Sequence, residues 1–121
     1  MLPASNIFYH FRDSNNIPIT MKLKEGVRVL GVKPELVMAI MIAEGVYRDN
    51  GVEMVITSIT DSKHSTFSRH YQGYAFDLRT RNIPDSKRGV ILEQIKERLT
   101  KDFNVIDEGD HFHIGYKPQF S

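Results

Sequence analysis

The chain reads as a single α+β domain with a mainly antiparallel sheet and two principal helices. Three observations predict this. A length of 121 residues suits one compact unit and leaves little room for a second. Two segments, near 34–48 and 84–99, carry apolar residues at helical spacing. The other apolar stretches are short and β-branched or alternating, and the last two flank Gly109-Asp110, which suits a two-residue hairpin turn with glycine first.

Residues 1–20, with Asp13-Ser14-Asn15-Asn16, read as an irregular N-terminal lead-in, and 21–121 as the domain proper. Met21-Lys22-Leu23-Lys24 alternates, as a short strand does. Lys33-Pro34-Glu35 opens the first helix, because proline suits the first helical position and an acid suits the first turn. That helix is expected to run to about Arg48 and to stop near Asp49-Asn50-Gly51. Its Leu36, Val37, Ile40, Met41, Val46 and Tyr47 cover more than one face, which predicts a central buried helix. Its methionines read as packing residues. Residues 53–58 form a β-branched core strand, a polar stretch spans 61–72, and 74–79 form the next strand. Pro84-Asp85-Ser86 starts the second helix, with Ile91, Leu92, Ile95 and Leu99 on one stripe. Residues 103–108 and 111–117 close the domain as a hairpin.

Composition narrows the function. Charges nearly cancel at +1 and no basic run is present, so no nucleic-acid partner is expected. The chain has no cysteine, which excludes disulfides and thiolate zinc sites. Any metal must be held by histidine and carboxylate. Residues 1–6 lack a charged n-region and an apolar h-region, and the longest apolar run, Leu36 to Ala43, falls far short of the roughly 20 residues of a membrane span. The expectation is a chain that is cytoplasmic at synthesis and not inserted in a membrane.

The histidines carry the chemistry. His64 and His70 form one cluster and His111 and His113 a second, while His10 stands alone. His70 precedes a strand that contains Asp77, and Gly73 permits a sharp turn between them. Ala75 and Asp77 share one strand face, where a small alanine leaves room for a metal; Phe76 and Leu78 face the core. His111 and His113 also share a face. A two-residue turn at Gly109-Asp110 pairs Glu108 with His111 and Ile106 with His113, which gathers Glu108, His111 and His113 on one surface. Catalytic zinc commonly takes three histidine or carboxylate ligands and keeps a fourth position for water, whose pKa it lowers.

Ser68, His70, Gly73, Ala75 and Asp77 complete the pattern Ser-x-His-x-x-Gly-x-Ala-x-Asp, followed at a distance by Glu108-Gly109-Asp110-His111-Phe112-His113. In these residues the sequence resembles the zinc D-Ala-D-Ala carboxypeptidase and dipeptidase family, which includes phage L-alanyl-D-glutamate endopeptidases. The His-x-His form is also similar to lysostaphin-type peptidases and to hedgehog amino-terminal domains, which share the metal site. The likeness runs from about Thr57 to Pro118.

The resemblance implies a hedgehog/DD-peptidase-like fold and one Zn²⁺ per chain, held by His70, Asp77 and His113. His111 would line the site and help stabilise the oxyanion. A carboxylate would act as general base on the zinc-bound water. Members that place the acid three residues before the ligand histidine point to Asp110; the hairpin geometry and the His-x-His variants point to Glu108. Many members carry an arginine before the first element, and residues 57–64 lack it. Lys63, His64 and Arg69 are the residues able to stand in for it, with Ser68 beside them at the substrate; His64 is equally readable as a loop residue bonded to backbone. The implied substrate is an amide of a bacterial peptidoglycan stem peptide, and the implied setting is phage-encoded, with virion or lysis-system partners. A catalytically inactive, zinc-stabilised binding or virion structural module of the same fold is the alternative.

Overall fold

The computed structural model describes residues 11–12, 18–19, 21–27, 31–59 and 75–117. Nine elements follow in chain order: β1 (Phe11–Arg12), β2 (Pro18–Ile19), β3 (Lys22–Leu23), α1 (Pro34–Asp49), β4 (Val55–Ser58), β5 (Ala75–Arg79), α2 (Asp85–Arg98), β6 (Phe103–Asp107) and β7 (His111–Tyr116). Most of the lead-in lies outside the described residues; within it, β1 and β2 pair antiparallel as a separate two-stranded ribbon.

The main sheet has the order β3-β4-β5-β7-β6. Its β4–β5, β5–β7 and β7–β6 pairings are antiparallel, and β3–β4 is parallel. The sheet is therefore mixed, and the fold is a small single-domain α+β structure with two helices. The parallel pair follows from connectivity: α1 lies between β3 and β4 and carries the chain back to the same end of the sheet.

α1 begins at Pro34, with the Lys33 carbonyl accepting from the Leu36 and Val37 amides. It ends where Gly51 adopts a positive φ of 71°, a conformation that glycine reaches without a Cβ penalty. The end is tied to α2: the Asn50 side-chain amide donates to the Val46 carbonyl at 2.8 Å and to Gln94 Oε1 at 2.9 Å, and Lys87 Nζ donates to the Asn50 carbonyl at 2.6 Å.

Leu36, Ala39, Ile40, Ala43, Val46 and Tyr47 of α1 are buried, as are Ile91, Ile95 and Leu99 of the second helical segment. They join Ile56, Phe76, Leu78, Val105, Phe112 and Ile114 in one core. Each large side chain so buried contributes roughly 1.5–3 kcal/mol. Glu44 is buried on the same helix and pairs with Arg48 at 3.7 Å. α1 is not buried all round, as its composition predicted: Val37, Met38 and Met41 are 45%, 66% and 43% exposed. Both helices cover one face of the sheet, so α1 needs an apolar stripe on one side only. The opposite sheet face is left for Ala75, Asp77, Arg79, His111, His113 and Gly115. No helix among the described residues is long and apolar enough to cross a membrane.

Candidate functional site

Phe76 and Leu78 commit one face of β5 to the core, and Phe112 and Ile114 do the same for β7. The alternation of side chains then turns Asp77, His111 and His113 to the other face. Register brings them together: Ala75 faces Gly115, Asp77 faces His113 and Arg79 faces His111. On β6, Ile106 lies opposite His113, and the Glu108 amide donates to the His111 carbonyl at 2.9 Å across the Gly109-Asp110 turn. The hairpin register matches the one read from the turn residues.

His113 Nδ1 lies 3.0 Å from Asp77 Oδ1. The other carboxylate oxygen, Oδ2, lies 3.8 Å from His111 Nε2. The same Nε2 is 3.6 Å from Glu108 Oε2, and His111 Nδ1 is 2.6 Å from Asp110 Oδ1. Both candidate bases therefore reach His111, by different ring nitrogens. Exposure grades outward, from 14% for the Asp77 side chain and 21% for His113 to 44% for Glu108 and 92% for Asp110. Burial works against the charged form of His111. The Asp110 hydrogen bond and the charges of Asp77, Asp110 and Glu108 outweigh it, so the imidazole pKa stands above its ordinary value.

The turn that carries the two acids is braced from the helix side. Arg88 of α2 forms a two-pronged pair with Asp107, at 2.9 and 2.5 Å, and also donates to the Gly109 carbonyl. Asp107 Oδ1 accepts from the Gly109 amide at 2.9 Å. Thr80 Oγ1 donates to the Gly109 carbonyl at 2.8 Å, and the Thr80 amide to the Asp110 carbonyl at 3.4 Å. The Arg88 guanidinium lies 5.7 Å from the ring centre of Phe112, between the two histidines in sequence. Arg88, first by its hydrogen bond, holds the Asp107 carboxyl down at about 2.

Beside the histidines lies an open cavity of about 310 Å³. Asp77, His111, Asp110 and Thr57 form part of its wall, and Lys24, Arg79 and Arg81 supply the rest.

Of the residues expected to bind metal, Asp77 and His113 are adjacent, while His70 lies outside the described residues. So do His64, Ser68 and Arg69. Among the described residues no group of three or more histidine or acidic side chains is arranged to hold a metal. Asp77 and His113 are joined by a hydrogen bond of 3.0 Å, and a carboxylate and an imidazole are ligand types that zinc accepts.

Thr80, Arg88, Gly115 and the three cations of the cavity escaped the sequence reading. Gly115 had a signal, since it stands two residues beyond His113 on the same face, opposite the small Ala75. The others had none, because their partners are distant in the chain. No family model matches the chain, and no curated protein or solved structure matches it.

Proposed function

We propose that this chain is a zinc-dependent peptidase hydrolysing an amide of peptidoglycan stem peptides, as a D-Ala-D-Ala carboxypeptidase or an L-Ala-D-Glu-type endopeptidase, and that it is phage-encoded. The observation that carries the reading is the 3.0 Å approach of His113 Nδ1 to Asp77 Oδ1 on a solvent-reachable sheet face, with His111 and two acids beside it. The Ser68, His70, Gly73, Ala75, Asp77 pattern supports it from the sequence side.

In this reading His70, Asp77 and His113 hold the ion. Bound zinc supplies a Lewis acid and lowers the pKa of a water molecule. Glu108 or Asp110 accepts the proton of the attacking water and passes it to the leaving amine. His111, whose pKa, against burial, the hydrogen bond with Asp110 and the neighbouring acids raise, donates a hydrogen bond to the developing oxyanion. The protein acts on the wall after release from a lysing cell or as part of a virion.

The test is incubation with purified peptidoglycan, with mass spectrometry of the products and a chelator control. Release of D-alanine or of a stem-peptide fragment is expected, abolished by chelator, by His113→Ala and by the double change Glu108→Gln/Asp110→Asn. Intact peptidoglycan after incubation with the zinc-loaded chain would sink the proposal. It would leave the zinc-stabilised binding module as the reading of the same site.

A further inference from the structure

We propose that the outward face of α1 is a dimer interface, and that its occupant is a second copy of this chain laid antiparallel across it. This interface does not depend on the peptidase reading above.

The two helices share one layer but differ in what they turn to water. α2 shows charge there: Glu93, Lys96, Glu97 and Arg98 are exposed. α1 instead turns Pro34, Val37, Met38, Met41 and Gly45 outward, at helical spacing and away from the buried Leu36, Ile40, Ala43 and Tyr47. Among the described residues the exposed large hydrophobics are Val37, Met38, Met41, Val90 and Ile106, so three of the five gather on this one face. Charge returns to it only at its ends, with Lys33 and Glu35 at one and Arg48 and Asp49 at the other. A contiguous apolar patch rimmed by charge marks an interaction site. Gly45 points the same way. A β-carbon there would meet only Arg98 Nη1, at 3.9 Å, an ordinary contact. Nothing in the fold therefore requires a glycine at this position, and glycine weakens a helix relative to alanine. A gap on the outer face does suit the close approach of a second helix.

The ends of the face identify the occupant. Beside the apolar stripe runs a groove of about 250 Å³, floored by Ala39, Ile42, Leu99, Phe103 and Tyr116. Its charged residues are Glu35, Asp102 and Arg98. Glu35 lies in the first turn of α1, whereas Arg98 reaches Gly45 and Asp49, beyond the middle of the helix. Acid and base thus stand on opposite sides of Met41, and a surface with that layout complements itself about a two-fold axis. Val37 and Gly45 are equally distant from Met41 in the chain. An antiparallel copy therefore sets Met41 against the partner's Met41, Gly45 against the partner's Val37 and Met38, and Glu35 toward the partner's Arg98. Arg98 already pairs with Asp49 at 3.0 Å, and its guanidinium has donors enough for both acids. Opposite ends of the two helix dipoles also lie side by side. The 16 residues of α1 span about 24 Å, which places the contact at the small end of stable interfaces and the expected Kd near 10 µM, flagged as an order of magnitude by about tenfold either way. The candidate reaction site is on the other sheet face, so both copies keep theirs open.

Sedimentation equilibrium of the whole chain from about 1 to 500 µM tests this, a range that brackets the expected Kd. The mass should rise from the monomer's 13.9 kDa toward twice that value. Met41→Lys, which sets two cations against each other at the axis, and Gly45→Leu, which fills the gap, should each weaken association about tenfold or more. Met41 is exposed in the single chain, so the urea midpoint of its variant should hold. Glu35→Arg and Arg98→Glu should each weaken association as well. An equimolar mixture of those two variants should recover it, because both cross-pairs are then opposite in charge again. Val90→Lys on α2 and Ile106→Lys on β6 should change nothing. A chain that keeps the monomer mass over the whole range overturns the proposal. So does a dimer that survives Met41→Lys, or one that Val90→Lys or Ile106→Lys dissolves, since another surface then holds it. A mixture that fails to recover overturns the antiparallel pairing and the proposal with it.

Discussion

A β-carbon built on Gly115 would lie 3.3 Å from Nε2 of His113 and 3.9 Å from the Ala75 methyl. The first distance is tighter than ordinary packing, so even an alanine there must push the imidazole by a few tenths of an ångström. In the proposed zinc site, Gly115→Ala should therefore lower affinity for the ion by about 10–100-fold, the usual cost of disturbing a residue that orients a ligand. A competition titration against a chromophoric chelator measures it, and unchanged affinity would show that the ring does not depend on the gap. Two other residues set opposite limbs of the stability profile. The Asp107 pKa is depressed in the fold, so its contribution is complete above its unfolded value of about 3.9 and is lost as pH falls through about 2. The His111 pKa is raised, so its contribution is complete below about 6.5 and is lost as pH rises through the higher folded value. Urea midpoints of the metal-free chain across pH should show both limbs. Asp107→Asn should remove the acid-side loss and His111→Gln the neutral-side loss. Asp77, His111 and His113 were legible as a set because alternation assigns faces without any tertiary knowledge. Which acid serves as the base was not, because Glu108 and Asp110 both end within reach of His111.

The β6–β7 hairpin is the element on which the site depends. Its turn needs only Gly109, whose φ is 94°, to close. Arg88, Asp107 and Thr80 then add bonds to the same two residues, which keeps the acids from swinging into solvent. Arg88→Ala should destabilise the chain by about 1–2 kcal/mol, since the pair with Asp107 is two-pronged but only partly shielded from water. A shift of the urea midpoint would show it, with faster hydrogen exchange at the Glu108 amide; protection equal to wild type would mean that the turn holds itself. Helix ends were readable in advance at Pro34 and Gly51, where covalent geometry dictates the break. The exposed side of α1 was not. Val37 and Met41 look like core by composition, and only the one-sided stacking of the helices on the sheet leaves them outside.

At the scale of the molecule, the helices cover one sheet face and the other carries the candidate chemistry, so the proposed metal site and the fold share a framework. A ligand that binds only the folded chain stabilises it by about 2.7 kcal/mol at a hundred times its Kd. Added zinc should then raise the melting temperature by about 10 °C, chelator should reverse the rise, and His113→Ala should abolish it. A melting temperature indifferent to zinc would count against the ion. The linear order of residues was enough for the two helices and the strands of the main sheet, the helix limits, the hairpin turn and the shared faces of β5 and β7, because each follows from local backbone geometry and side-chain period; the β1–β2 ribbon in the lead-in was not read from it. Sheet order lay beyond it, and with it the parallel β3–β4 pair. So did the convergence of Lys24, Arg79 and Arg81 and the reach of Arg88 to Gly109. These depend on which distant apolar faces exclude water together, and that is settled only when the whole chain packs.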